Sequence, residues 1–178
     1  HPTGAIVSQA RATTGAVQGG ASFLTGQYRA GIWNSTAATW NALSPAGAVE
    51  SWVYAISGGQ QVGWVDFGSG EQAALWTGTI ASYTSLAPAG SLSSRVAATI
   101  GTTQAGEATF AGGQHAGLWS GTAASWVDLD PSGTFHPSRV TAMLNPGMSW
   151  YSPTKGVSWA SVNLISGRAA GMGLFVFV

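Results

Sequence analysis

A repeat of 43 residues constrains the fold of this chain more than any other feature of its sequence. A Pro-x-Gly segment begins at Pro2, Pro45, Pro88 and Pro131, so the same interval occurs three times. Glutamine, glycine and tryptophan positions keep the same step, and the clearest are Gln18, Gln61 and Gln104, then Gly20, Gly63 and Gly106, then Trp33, Trp76 and Trp119. A fixed period of this length is typical of repeat proteins, whose units bury their apolar faces on one another.

The repeat divides residues 1–178, taken as a single repeat domain, into units 1–43, 44–86, 87–129 and 130–178. The first three units have equal length and align without a gap. The fourth unit follows the pattern up to Asn145 and then departs from it. We expect a terminal unit to be atypical, because it has a neighbour on one side only.

The third unit indicates what one repeat folds into. Glycine and small polar residues interrupt it every few residues, and the segments between them favour strands. We predict four short strands at residues 94–100, 104–110, 114–119 and 124–129. Four strands in about 43 residues match one propeller blade, so the predicted fold is all-β, a β-propeller-like array of four four-stranded blades. The array either closes as a small ring or leaves open ends that another copy completes.

The charge of the chain excludes several classes of partner. Only 7% of the residues are charged, and the six basic side chains balance the six acidic ones. A neutral chain lacks the basic surface that binds nucleic acid and the basic run that binds an anionic membrane. We also expect no membrane span, because no apolar stretch approaches the roughly 20 residues that a membrane helix needs. There is no cysteine to form a disulfide or a thiolate site.

Few side chains are available for catalysis or metal binding. His115 and His136 are the candidate general bases within the chain, and neither lies in a nucleophile motif. Asp128 and Asp130 share one face of a predicted strand and could hold a hard cation weakly, although solvated acids at a strand end are the favoured interpretation. We therefore predict a protein that is not an enzyme, with no cofactor and no metal site.

The aromatic residues are the main candidates for a binding surface. Trp33, Trp76 and Trp119 follow apolar residues and are predicted to pack in the core. Trp40, Tyr83 and Trp126 close the units, follow small polar residues and are predicted to be half exposed. Trp52 and Trp64 break the repeat pattern and are predicted to lie at the surface. Together these ligand-binding candidates are Trp40, Tyr83, Trp126, Trp52 and Trp64.

The last residues form an apolar segment of strand type. A hydrophobic strand at a terminus either pairs within its own subunit, which we favour, or offers its free edge to another chain. The candidate residues for such self-association are Leu174, Phe175, Val176, Phe177 and Val178.

Two segments resemble the HAF-type repeat of exported bacterial proteins. Residues 114–129, QHAGLWSGTAASWVDL, are similar to its His-Ala-x-Leu-Trp segment, which precedes a strand ending in Asp-Leu. Residues 55–65, AISGGQQVGWV, are similar to its second strand, with Ser57 where that strand has Asn. His115 has Arg29 and Gln72 at its counterparts in the earlier units. The resemblance covers about three of the four units and implies a propeller-like array in an extracellular or cell-surface protein, with no catalytic residue to carry over.

Two functional hypotheses follow from these features. The first is a secreted structural protein that associates with other copies of itself into filaments or a surface layer, because a surface with few charges lacks the usual barrier to association. The second is a carbohydrate-binding propeller, whose repeated aromatic residues would stack on a surface polysaccharide. A hydrolase with a site at the propeller axis has no support in the sequence.

Overall fold

A computed structural model describes residues 1–129 and three strand segments at residues 139–144, 160–162 and 173–177. Each of the first three units forms one antiparallel sheet of four strands in sequence order. The strands of the first sheet are β1 (Val7–Thr13), β2 (Val17–Leu24), β3 (Gln27–Asn34) and β4 (Asn41–Ala42). Those of the second are β5 (Glu50–Ser57), β6 (Gln60–Asp66), β7 (Glu71–Trp76) and β8 (Thr84–Ser85). Those of the third are β9 (Ser93–Ile100), β10 (Thr103–Phe110), β11 (Gly113–Trp119) and β12 (Val127–Asp128).

The prediction of an all-β chain with four-stranded units is confirmed for residues 1–129, and the fourth strand of each unit is shorter than predicted. In the third unit a 3₁₀ turn at Ala123–Ser125 takes the first half of the predicted strand 124–129. Ser125 Oγ accepts a hydrogen bond from the Ser120 N–H and donates one to the Thr122 carbonyl. These local side-chain bonds satisfy the backbone in a turn and leave two residues for the strand.

The first strand of every sheet contains a β-bulge at the same position. The pairing skips one residue in each strand, and these residues are Arg11, Tyr54, Ala97 and Thr141. A glycine of the second strand lies opposite: a Cβ on Gly63 would stand 2.0 Å from the Trp52 carbonyl oxygen. The periodic Gly20, Gly63 and Gly106 are therefore required where the bulged backbone comes close to its partner strand.

Consecutive sheets pack against one another through the first strand of the later sheet. Strand β5 packs on β1, β2 and β3, and β9 packs on β5, β6 and β7. We call the face of a sheet that is directed towards the preceding sheet its front face, and the opposite face its rear face. In the second sheet Val53 and Trp76 lie on the front face, and Val62 and Leu75 lie on the rear face. Each junction is a separate apolar core, as expected of a repeat array.

The fourth unit departs from the template, as its sequence predicts. Its described strands are β13 (Arg139–Leu144), β14 (Ala160–Val162) and β15 (Gly173–Phe177), and β15 lies between the other two. Strand β13 packs on the third sheet. Both edges of β15 are paired within the same chain, while Val178 lies outside the described residues.

The described strands form a series of sheets, each packed on the next in sequence order. They do not close into a barrel or a propeller ring. Within the described part of the chain, no helix has both the length and the apolar character needed to cross a membrane.

Candidate functional site

The histidine and acidic residues singled out in the sequence give one pair. His115 Nδ1 lies 2.7 Å from Asp128 Oδ2, because β11 and β12 are neighbours in the third sheet. The pair is open to solvent, and the Phe110 ring packs against the imidazole in an edge-to-face arrangement. An imidazole held by a carboxylate supplies two of the three roles of a hydrolytic triad, and the nucleophile is not assigned by this geometry. His136 and Asp130 lie outside the described residues.

No metal site is formed within the part of the chain that the structure describes. It contains no group of three or more His, Cys, Asp or Glu side chains that could hold an ion.

The aromatic residues that close each unit pack on the tryptophan of the same sheet. The ring centroids of Trp33 and Trp40 are 4.5 Å apart, and those of Trp119 and Trp126 are also 4.5 Å apart. The closing residues are half-buried, as predicted. Tyr83 and Trp126 pack against the apolar cores between sheets, and burial raises the pKa of the Tyr83 phenol. Their rings are therefore occupied in packing, whereas Trp40 lies in the first sheet, which has none of the described sheets in front of it.

A residue of the third strand sets the size of each closing ring. Gly117 lies under Trp126, where a Cβ would stand 2.1 Å from ring atom Cη2. Gly31 lies in the same way under Trp40, at 2.2 Å from the same ring atom. The second unit has alanine at this position and the smaller Tyr83 above it. The first and third units thus combine glycine with tryptophan, and the second unit replaces both residues together by alanine and tyrosine.

The prediction that Trp52 and Trp64 lie at the surface is wrong. Each is 6% exposed, and together with Ala21 they form a small core. The Tyr28 ring packs on Trp52 with centroids 4.6 Å apart, and the Arg11 guanidinium lies 4.8 Å from the Trp52 ring. These neighbours come from the first sheet, which the local sequence around each tryptophan does not reveal.

An ion cluster occupies the same place at the next junction. Arg95 contacts Glu71 of the second sheet at 2.6 Å and Glu107 of its own sheet at 3.2 Å. Burial raises the pKa of Glu71 above its ordinary value, against the opposing effect of Arg95.

The two clusters are related by the repeat. The 43-residue step relates their members one to one. Glu71 stands at the position of Tyr28, Arg95 at that of Trp52, and Glu107 at that of Trp64. An aromatic triad at one junction thus replaces an ionic triad at the next. The joint change at three positions of one period is a sequence signal that would have indicated contact.

The periodic glutamines hold two loops together. Gln104 Oε1 accepts a hydrogen bond from the Gly121 N–H at 2.8 Å, and its Nε2 donates to the Thr102 carbonyl at 3.0 Å. Gln61 makes the equivalent bonds to Gly78 and Gly59. This role is structural, because both ends of the amide are used and Gln104 is fully buried.

A serine at each junction accepts a hydrogen bond from a backbone N–H of the preceding sheet. Ser51 Oγ accepts a hydrogen bond from the Ala30 N–H at 2.9 Å, and Ser94 Oγ accepts one from the Ala73 N–H at the same distance. The fourth strand is too short to reach these amides, so a side chain of the next sheet provides the acceptor. All of these residues are buried.

The front face of the first sheet is open. It carries Ser8, Ala10, Gln18 and Trp33, each 43 residues before its counterpart in the second sheet, and we call this set the open front face. Ala10 is exposed, whereas its counterparts Val53 and Val96 are 0% exposed. The four residues line a depression of about 370 Å³ together with His1, Ser35, Thr36 and Ala37.

The surface of residues 1–129 exposes more large apolar residues than charged ones. Of the charged residues in this range only Arg11 and Asp128 are exposed. Seven large apolar residues are exposed there: Ile6, Val7, Val49, Phe67, Ile80, Leu92 and Val127. Three of these, Ile6, Val49 and Leu92, follow the 43-residue step and occupy the same end of successive sheets.

Comparison with known proteins gives no relative for this chain. It matches no protein-family model, no curated protein and no solved structure. Its own units therefore serve as references for one another: a surface that is open in one unit and covered in the next shows what kind of contact that surface accepts.

Proposed function

We propose that this chain is a non-enzymatic structural protein of the cell exterior, which associates with copies of itself into a filament or a surface layer. Its four units would form a propeller-like array that is built for packing against like units. The partners are other copies of the chain, with no role for nucleic acid or for a cofactor.

The observation that carries the proposal is the balance of exposed side chains. Residues 1–129 expose two charged residues and seven large apolar ones. This balance leaves little electrostatic repulsion between copies. Charged side chains are the usual barrier against association, and apolar surface favours it. The apolar residues that recur at the same end of successive sheets extend this surface along the array.

The location and the propeller-like arrangement are supported by the sequence resemblance. Segments 55–65 and 114–129 resemble the HAF-type repeat, which implies an exported bacterial protein. The junctions between the first three sheets are compatible with radially arranged blades, because the first strands β1, β5 and β9 contact one another in order.

A second candidate function is carbohydrate binding, which one observation favours. The depression on the first sheet combines the Trp33 ring with the polar side chains of His1, Ser8 and Gln18. Aromatic faces with a few polar groups are the usual lining of a small-molecule site. This would be a single site on the first sheet, because Tyr83 and Trp126 are packed between sheets in the later units.

Sedimentation velocity over a concentration series of the purified chain tests the proposal, with negative-stain microscopy of the same samples. We expect the mean sedimentation coefficient to rise with concentration and the images to show regular linear or layered assemblies. A chain that stays monomeric over the whole series contradicts self-association. Monomeric particles that also bind a defined glycan on an array would favour the carbohydrate-binding function instead.

A further inference from the structure

We propose that the open front face of the first sheet binds the rear face of the last sheet of a second copy, so that copies join head to tail. This inference rests on the proposed function and specifies the surface that carries it. It commits to one occupant, which is a sheet of this same chain.

The first argument is the burial of equivalent residues. Val53 and Val96, the counterparts of Ala10, are completely buried by the sheet in front of them. Trp76 and Trp119, the counterparts of Trp33, are completely buried as well. At both junctions the buried partner is the rear face of a sheet of the same type. The front face of the first sheet has the same residue positions, and none of the described sheets lies on it, so the chain itself shows what fits there.

The second argument is the serine acceptor. Ser51 and Ser94 each accept a backbone N–H from the third strand of the preceding sheet. Ser8 occupies the same position, and its Oγ is bonded to side chains of its own unit, His1 Nδ1 at 2.9 Å and Ser22 Oγ at 3.1 Å. A hydroxyl oxygen has two lone pairs, so Ser8 retains the capacity to accept a backbone donor when the His1 side chain, which is exposed, moves aside.

The third argument is the far end of the array. Strand β13 packs on the third sheet, so the fourth sheet is the last of the described series. Ala160 begins β14, which pairs with β15 and forms an edge of the fourth sheet. In spatial order β14 is the third strand of its sheet, as β3 and β7 are, and those two strands supply the donors to Ser51 and Ser94. We therefore expect the edge of β14 in one copy to face Ser8 of the next. A contact between two different faces can repeat from copy to copy, and it produces a linear assembly where the rotation between copies does not close a ring.

The substitution Ala10→Arg tests the inference, with Ala111→Arg as the matched control. Both alanines are exposed, and each variant gains one positive charge. Ala111 lies in the turn between β10 and β11, away from the open front face. We expect Ala10→Arg to weaken association by roughly tenfold or more, because the guanidinium would be desolvated without a partner, and Ala111→Arg to associate as the unmodified chain does.

A mixing experiment separates head-to-tail joining from other geometries. An Ala10→Arg molecule keeps its rear face, so it should attach to the free front face of a growing assembly and end it. Substoichiometric Ala10→Arg should therefore shorten assemblies of the unmodified chain in sedimentation velocity, and Ala111→Arg should not.

Each other outcome overturns the inference in a distinct way. If Ala10→Arg assembles normally, association uses another surface, and the proposed function stands without this inference. If the variant is monomeric but inert in the mixture, first sheets join front to front. If the unmodified chain is a monomer and Ala10→Arg lowers its thermal midpoint strongly, the fourth unit of the same chain covers the face and the ring is closed. A monomer with no effect of either substitution refutes the proposed function as well.

Discussion

The pairing of Gly117 with Trp126 gives a sharp test of how these units pack. We predict that Gly117→Ala destabilises the chain and that Trp126→Tyr, added to it, restores much of the loss. The double variant reproduces the combination of Ala74 with Tyr83 that the second unit already contains.

The magnitude follows from the geometry. A Cβ on Gly117 would stand 2.1 to 2.5 Å from three atoms of the Trp126 ring, well inside van der Waals contact. The ring has little room to move, because it packs on Trp119 and on the core between the second and third sheets. Overpacking of this kind costs about 1–3 kcal/mol. For a chain of this length, each 1 kcal/mol lowers the melting temperature by roughly 2–4 °C.

Urea denaturation followed by tryptophan fluorescence measures the effect. The four proteins of the cycle are the unmodified chain, the two single variants and the double variant. We expect a coupling free energy of about 1 kcal/mol or more in favour of the double variant. Gly112→Ala is the control, since a Cβ there meets nothing within 4 Å, and we expect a change of about 0.5 kcal/mol or less.

Additive effects would refute the reasoning. If Gly117→Ala costs the same with Trp126 as with tyrosine, the contact between Cβ and ring is not what selects glycine. The reciprocal exchange in the second unit adds a further check: Tyr83→Trp should destabilise, and Ala74→Gly should relieve it.

Three further predictions concern the junctions and the loops. Ser51→Ala should lower the free energy of unfolding, measured by urea denaturation, by about 1–3 kcal/mol, because the buried Ala30 N–H loses its acceptor. An equal loss for Ser57→Ala, at the end of the same strand, would contradict this. Gln104→Met should cost about 1–3 kcal/mol by losing the bond to the Gly121 N–H, and more than Gln18→Met, whose site is only half-buried. The pKa of Glu71 is raised, so the folded state favours the protonated carboxyl group. The stability that this protonation contributes is fully present below pH 4.5 and is lost as the pH rises through the folded-state pKa. Thermal melting from about pH 4 to about pH 7 should show Glu71→Gln gaining stability relative to the unmodified chain, and parallel pH profiles would contradict the assignment.

The repeat in the sequence was sufficient to predict the four-stranded architecture of each of the first three units. The step from Trp33 to Trp76 to Trp119 predicted three equivalent core positions, and all three residues are buried. The first three strands of each unit were predictable because runs of β-branched and aromatic residues between glycines favour strands wherever they occur. The fourth strand was overestimated, since bonds between Ser125 and its neighbours compete with strand formation.

The sequence alone could not determine which residues of different units meet. Trp52 and Trp64 have no local sign of burial, and residues of the preceding sheet such as Ala21 and Tyr28 cover them. The same holds for Ser51, whose partner is a backbone amide 21 residues away.

Local sequence determined the strands and their spacing, because strand formation depends on neighbours along the chain. The tertiary structure decided that Ala10 is exposed while Val53 and Val96 are covered, because burial depends on which sheet lies in front. A repeat gives every unit the same faces, and only the stacking of the units leaves the front face of the first sheet without a described sheet against it.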